Sequence, residues 1–224
     1  QLLHGDRVAH LGAPDELPGA DAIILPGTKT TIADLLFLNE TGLAAAIGAR
    51  ARQGAAVAGI CGGFQMLGRV VRDPLRVESP RDAIEGLGLL PVETVFEREK
   101  ATEQVTARIA AECGFLQGIS GESIHGYEIH MGRTVGAAPM LRVTRRGTQA
   151  VDAGDGAVDE TGRVFGSYLH GLFDNPNFRR AWLNSLRPHA TSTDSLAAVR
   201  EREYDRLAAA VRANVDMAML RRTI

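Results

Sequence analysis

Short, nearly continuous apolar runs alternate with longer amphipathic stretches through the first third of the chain. Val8–Leu11, Ala22–Leu25 and Ala55–Ala58 read as strands buried on both faces of a parallel sheet. Thr31–Asn39, Leu43–Gln53 and Phe64–Val71 read as helices, with Gly54 as the stop after the second. Strand–helix alternation of this kind predicts an α/β fold with right-handed crossovers. The middle third changes period. Pro, Gly and charge dominate 73–92. Short strands are then expected at Pro91–Phe96, Gln104–Ile109, Ser123–Ile129, Leu141–Thr144, Gly156–Val158 and Val164–Leu169, with a turn over Asp152–Gly156. Asn175-Pro176 reads as a helix cap and first turn. A last helix is expected from about Thr193, its stripe of Leu196, Val199, Tyr204, Leu207, Val211, Val215 and Met219 read as core or domain packing. No repeat or linker divides the chain, so residues 1–224 are expected to form one domain.

Composition narrows the class without naming a chemistry. The 224 residues are 45% hydrophobic and 23% charged, with aromatics at 5%, which suits a globular protein with an aliphatic core. Basic residues number 25 against 27 acids, for a net charge of -2, and they are interspersed. Binding nucleic acid by counterion release needs a basic face, and no such block occurs. Two cysteines make no disulfide framework, and no apolar run approaches the roughly 18 residues of a membrane helix. No secretory leader opens the chain. The expectation is a cytoplasmic protein in a reducing compartment.

Gly59-Ile60-Cys61-Gly62-Gly63 is the most informative segment. A nucleophile at an abrupt strand-to-helix turn needs small neighbours so that the chain doubles back, the logic of the nucleophile elbow with sulfur in place of oxygen. The helix N-terminus then favours a thiolate, and the Gly62 N–H can meet an oxyanion. The alternative is a buried structural cysteine. A nucleophilic cysteine needs a base, and His170 at the end of a predicted strand is the candidate. Pro26-Gly27-Thr28-Lys29, between strand and helix, offers Gly27 as a second oxyanion donor. His125 and His130, five apart on one strand, point to opposite faces, and no zinc spacing occurs, so no metal is expected. No ATP-binding motif is present. Cys113 lacks the elbow context, and Arg142, Arg145 and Arg146 read as a solvated strand face.

Gly59–Gly68 together with Tyr168-Leu169-His170-Gly171 resembles the class I (triad-type) glutamine amidotransferases. Ile24–Thr31, Ile84–Phe96 and Gly126–Thr134 are similar to the corrin-amidating branch, the glutaminase domains of cobyric acid synthases. The resemblance covers about residues 20 to 185. It implies a flavodoxin-like, mostly parallel sheet flanked by helices. It also implies attack of Cys61 on the glutamine side-chain amide, His170 as proton carrier, Gly27 and Gly62 as the oxyanion hole, and Gln65 as a substrate contact. Ammonia would pass to a synthetase domain that uses ATP and Mg to amidate adenosylcobyrinic acid a,c-diamide at four carboxylates. That domain and the opening strand of the glutaminase fold are expected to be missing from this chain. Position 172, where triad enzymes carry the acid, is Leu172. A Cys61–His170 dyad is therefore expected, with Glu128 or Asp174 as the candidate to orient the imidazole. The strand of Glu128 and His130 is read as bordering the glutamine pocket or facing the synthetase, or else as satisfied polar groups at a strand end. Two other readings stand beside the first. One is glutaminase chemistry for another acceptor, in a cobyrinate a,c-diamide synthase or a cell-wall precursor amidation system; the other is a catalytically silent interaction domain.

Overall fold

A computed structural model describes residues 8–187, 196–215 and 219; for 99–101 and 196–200 it describes the backbone alone. The chain separates into two compact units, Val8–Pro188 and one that contains the C-terminal segment from His189.

The first unit is built on two sheets. Strands β1 (Ala22–Leu25) and β2 (Ala56–Ile60) are joined through helices α1 (Thr31–Glu40) and α2 (Leu43–Arg52). After β2 come α3 (Gly62–Leu67), β3 (Val70–Arg72) and β4 (Ala83–Glu85). There follow β5 (Glu93–Ile109), β6 (Ser123–Val135), β7 (Leu141–Arg146), β8 (Gln149–Asp155), β9 (Ala157–Val158), β10 (Val164–Ser167) and α4 (Pro176–Leu186). The four-stranded sheet runs β1-β2-β10-β9, parallel except at β9. The other, six-stranded, runs β4-β3-β5-β7-β8, with β6 paired along the free side of β5.

The parallel strands owe their continuous apolar sequence to cover on both faces. Gly59 of β2 and Gly166 of β10 are register partners. A side chain on Gly166 would meet the Phe64 ring at 2.4 Å, so the two glycines flatten the sheet where α3 lies. Phe165 faces the opposite way and packs edge-on against Phe178 and Trp182 of α4. Leu25, Ile32, Leu35, Ile47, Val57, Phe64 and Leu67 form the core on the α1–α3 side. Each fully buried side chain of this size is worth about 1.5–3 kcal/mol against exposure.

The predicted strands at Ala22–Leu25 and about Ala55–Ala58, the first two helices and the Asn175-Pro176 start all appear. Val8–Leu11 does not form a strand: Val8 and Leu11 are exposed, with no neighbouring strand to bury them. The helix expected over Phe64–Val71 stops at Leu67, and Val70–Arg72 instead pairs parallel to β5. The charged stretch between Phe96 and Gln104 is no loop. There β5 and β6 continue as a two-stranded ribbon with a register shift between Val95 and Lys100, and its polar side chains need no core. The turn expected over Asp152–Gly156 narrows to Gly156 (φ 72°), because Asp152 lies in β8 and Ala153–Asp155 pair with β7. The middle strands are thus a second, largely antiparallel sheet rather than short additions to the first.

Residues 73–79 are shaped by Asp73, a fully buried carboxylate that accepts N–H bonds from Val77, Glu78 and Ser79 at 2.7–2.9 Å. Burial pushes Asp73 up, but these three donors together hold it below its ordinary value. Glu78, placed by this loop, accepts the Ile32 N–H at 2.7 Å and so caps α1.

In the second unit, α5 spans Leu196–Asn214; the expected start near Thr193 lies outside the described residues. Tyr204, Leu207, Val211 and Val215 are exposed, contrary to the core reading of this stripe. No single helix among the described residues is long and apolar enough to cross a membrane.

Candidate active site

The turn from β2 into α3 puts Cys61 at φ 52°, ψ −111°, a region that costs a residue with a Cβ about 1–3 kcal/mol. Neighbours over-determine it. The Cys61 N–H donates to Ser167 O of β10 at 2.9 Å, and Cys61 O accepts the first helical bond, from Gln65 N, at 3.0 Å. A side chain on Gly63 would lie 2.0 Å from Leu25 O, so only glycine lets α3 start there. The elbow read from the sequence is present.

The loop after β1 brings Gly27 between the two expected partners. A Cβ built on Gly27 would lie 3.0 Å from His170 Cε1 and 3.4 Å from Cys61 Cβ, so nucleophile and imidazole flank a single backbone position. Next to it, a Cβ on Gly62 would lie 3.1 Å from Thr28 N, which places the β1–α1 loop against the first turn of α3. Cys61 is 6% exposed, and its Sγ donates to Ile129 O of β6 at 3.5 Å. Burial pushes the thiol above its ordinary value, and the Gly62 N–H at the sulfur pulls it down by less. The expected thiolate at the helix N-terminus is therefore not the resting form. α3 has six residues, and desolvation outweighs what its end supplies.

His170 leaves β10 toward the same point. Its Nε2 is buried with no hydrogen-bond partner among the described residues, and burial lowers the imidazole below its usual value. The ring lies flat on Tyr127, with centroids 4.9 Å apart and planes within 8°. Leu172 is buried, so the place expected for an acid holds an apolar side chain. Glu128, expected as one candidate to orient His170, is instead clasped by Arg146, with Nε to Oε2 at 2.9 Å and Nη2 to Oε1 at 3.3 Å. Arg146 is correspondingly only half-buried rather than fully solvated, whereas Arg142 pairs with Asp152 at the surface. Asp174 ends a 3₁₀ turn beside Gly171.

Gln65 is 2% exposed and its amide is engaged by the protein itself. Thr31 Oγ1 donates to Oε1 at 3.1 Å; Nε2 donates to Met131 O at 3.0 Å and to the Tyr168 hydroxyl at 3.2 Å. Tyr168 in turn bonds Thr134 at 2.6 Å and stacks on His130. In this arrangement Gln65 ties α1, α3, β6 and the end of β10 together. Cys113 sits elsewhere, donating to Asp159 O at 3.4 Å.

Sequence reasoning missed Asp155, Tyr127 and the Ile129 carbonyl. Asp155 accepts the Ser167 hydroxyl at 2.5 Å and the Tyr168 N–H at 3.0 Å, fixing the segment that ends in His170. Nothing local marks it, since the contact joins strands of two sheets. Tyr127 and Ile129 lie inside the Gly126–Thr134 stretch that the resemblance had singled out. That strand does border the site, through Tyr127 on His170 and Ile129 O on Cys61.

Residues 4–178 match the profile of the CobB/CobQ-like glutamine amidotransferase domain. A cobyric acid synthase of Sorangium cellulosum is 45% identical over 238 residues, covering 98% of this chain and 46% of that protein. One from Dehalococcoides mccartyi is 43% identical over 217 residues, covering 95% of this chain and 43% of the relative. The chain thus spans less than half the length of these relatives. Among solved structures, PurLQS from Thermotoga maritima superposes with a TM-score of 0.57 at 21% identity, over 80% of this chain and 86% of that one. A glutamine amidotransferase crystal structure gives 0.52 at 18%, over 81% and 87%. These two show the fold alone. With the profile spanning most of its length, the chain belongs to the CobB/CobQ-like glutamine amidotransferase domain family.

Proposed function

We propose that this chain is the glutamine-hydrolysing, ammonia-supplying part of a cobyric acid synthase. The observation that carries the reading is the convergence of Cys61 and His170 on either side of Gly27. Glutamine enters beside the elbow, and the Cys61 sulfur attacks its side-chain amide carbon as His170 takes the thiol proton. The Gly62 and Gly27 N–H groups receive the oxyanion. His170 returns the proton to the departing nitrogen, releasing ammonia and leaving a glutamyl thioester. Water, deprotonated by the same imidazole, then frees glutamate and restores the thiol. Gln65 shapes the pocket by holding the Thr31 and Met131 walls together. Apart from glutamine and water, these steps draw on side chains and N–H groups of this chain. ATP and Mg belong to the synthetase part, in cis or as a separate chain, where ammonia amidates adenosylcobyrinic acid a,c-diamide. The work takes place in the cytoplasm, where Cys61 and Cys113 stay free thiols.

The test joins the chain to the ATP-dependent part of a cobyric acid synthase and supplies either glutamine or ammonium salt. Cys61→Ala is expected to abolish glutamine-supported amidation and leave ammonia-supported amidation intact. His170→Ala should lower the glutamine-supported rate by about two to four orders of magnitude. Undiminished use of glutamine by Cys61→Ala overturns the reading. Active hydrolysis with amidation only of a different acceptor overturns the assignment of the corrin diamide.

A further inference from the structure

An imidazole that moves a proton between sulfur and nitrogen must keep its ring plane, and triad enzymes use an acid for this. In this chain position 172 is a buried leucine, and Glu128 is bound by Arg146. Among the described residues, the aromatic ring that stacks on His170 is that of Tyr127. The two residues form an isolated antiparallel bridge outside the regular ladders: Tyr127 N–H donates to His170 O at 3.2 Å, and His170 N–H donates to Tyr127 O at 2.8 Å. Such a pair puts both side chains on one face of the ladder. The rings accordingly lie nearly parallel, 8° apart, at 4.9 Å.

Neighbouring residues protect this bridge. A Cβ on Gly126 would lie 2.1 Å from His170 O, so only glycine permits the approach. His125, one residue further, is held at both backbone groups by Asn175, whose Oδ1 accepts its N–H and whose Nδ2 donates to its carbonyl, each at 2.9 Å. The Asn175 side chain also donates to Gly171 O and Leu172 O. Residues 125–127 and 170–175 are thereby locked as a unit, and the aromatic stack is its product. Turning the imidazole about its own axis would break the stack, and its Cε1 edge faces Gly27, whose other close neighbour is the Cys61 Cβ.

We propose that Tyr127 is a positioning residue for glutamine hydrolysis, its ring holding the His170 imidazole in the plane that serves Cys61. This rests on the glutaminase reading above. The planar face does the work, not the hydroxyl; Tyr127 is 44% exposed, so its replacement spares the core.

The experiment compares Tyr127→Phe and Tyr127→Leu with the wild-type full chain, joined to its synthetase part, after matched unfolding curves show equal folding. Tyr127→Phe should keep kcat within about twofold, because the stack survives. Tyr127→Leu should lower kcat by about ten- to a hundredfold through misorientation, with the glutamine KM within about threefold. Proton NMR of the His170 ring should show a ring-current shift in wild type and Tyr127→Phe that is absent in Tyr127→Leu. A leucine variant with wild-type kcat and no ring-current shift overturns the positioning role while leaving the glutaminase reading intact. Equal losses in both variants overturn it as well, since the hydroxyl would then be the essential group. A wild-type protein that hydrolyses no glutamine overturns the underlying reading and, with it, the step Tyr127 serves.

Discussion

At Cys61 two influences oppose each other. The Gly62 N–H favours the thiolate and burial the thiol, and burial wins. Burial also keeps His170 neutral by holding it below its ordinary value. The resting pair is therefore thiol and imidazole, with the proton transferred only as sulfur bonds to carbon. The sign for pH follows. The base works deprotonated, so activity falls as pH drops through its lowered value, below the roughly 6.5 of an ordinary histidine. kcat/KM for glutamine should be flat near neutrality and decline only below that point. Labelling of Cys61 by iodoacetamide should keep climbing beyond the roughly 8.5 of an ordinary thiol. A labelling plateau below neutrality would reveal a resting thiolate and contradict this account. The positions of Cys61 and His170 were legible in the sequence because glycines at an elbow and a histidine at a strand end are local signals. Their protonation was not, because it depends on how much of the rest of the chain covers them.

Among the elements, β6 shows what pairing adds to local pattern. A strand from Ser123 was readable, as was the placing of His125 and His130 on opposite faces, and the structure shows the exposed and buried positions alternating over much of it. The length of its partner β5 was not, because Glu97–Gln104 reads as polar punctuation and forms a strand only with β6 alongside. Nor was the partner of Glu128, which lies across β5 on β7. Glu128 faces Glu103 in the β5–β6 ladder, while Arg146 faces Val105 in the β5–β7 ladder, so their ion pair spans β5 and fastens three strands. Removing one member of a buried pair leaves the other uncompensated, but the Arg146 side chain is 34% exposed and regains water. Glu128→Ala should therefore cost about 2 kcal/mol in urea unfolding, less than the 3–5 typical of a fully buried pair. Glu128→Gln, which keeps one acceptor, should retain the glutaminase rate within about twofold, as expected of a group at most one step from the chemistry. A Glu128→Gln variant that folds normally but loses activity a hundredfold would return Glu128 to the role of orienting acid.

Across the whole molecule, the site exists because two sheets meet, and Asp155 is a side chain that joins them beside the chemistry. It ends β8 of one sheet and receives the Ser167 hydroxyl and the Tyr168 N–H from β10 and its exit in the other, three residues before His170. Ser167 Oγ also accepts the Leu169 N–H at 2.9 Å, so one carboxyl governs the course of the chain into the imidazole. Burial raises Asp155 above its ordinary value despite these donors, so the fold favours its protonated form. An acid with a raised folded value gives its full stabilisation below its unfolded value, about 3.9, and loses it as pH rises through the raised one. Asp155→Ala leaves the Tyr168 N–H and the Ser167 hydroxyl without acceptors in the interior. It should cost about 2–3 kcal/mol and lower kcat by freeing His170. Asp155→Asn copies the uncharged acid: its oxygen accepts the Tyr168 N–H, and the Ser167 hydroxyl turns so that its Oγ accepts from the amide instead of donating to it. This variant should keep the glutaminase rate and, relative to wild type, gain stability as pH rises from about 4 toward neutrality, because it has no proton to lose. Urea unfolding of wild type and both variants across that range measures it. An Asp155→Asn protein whose stability runs parallel to wild type at every pH would show that Asp155 carries no perturbed proton.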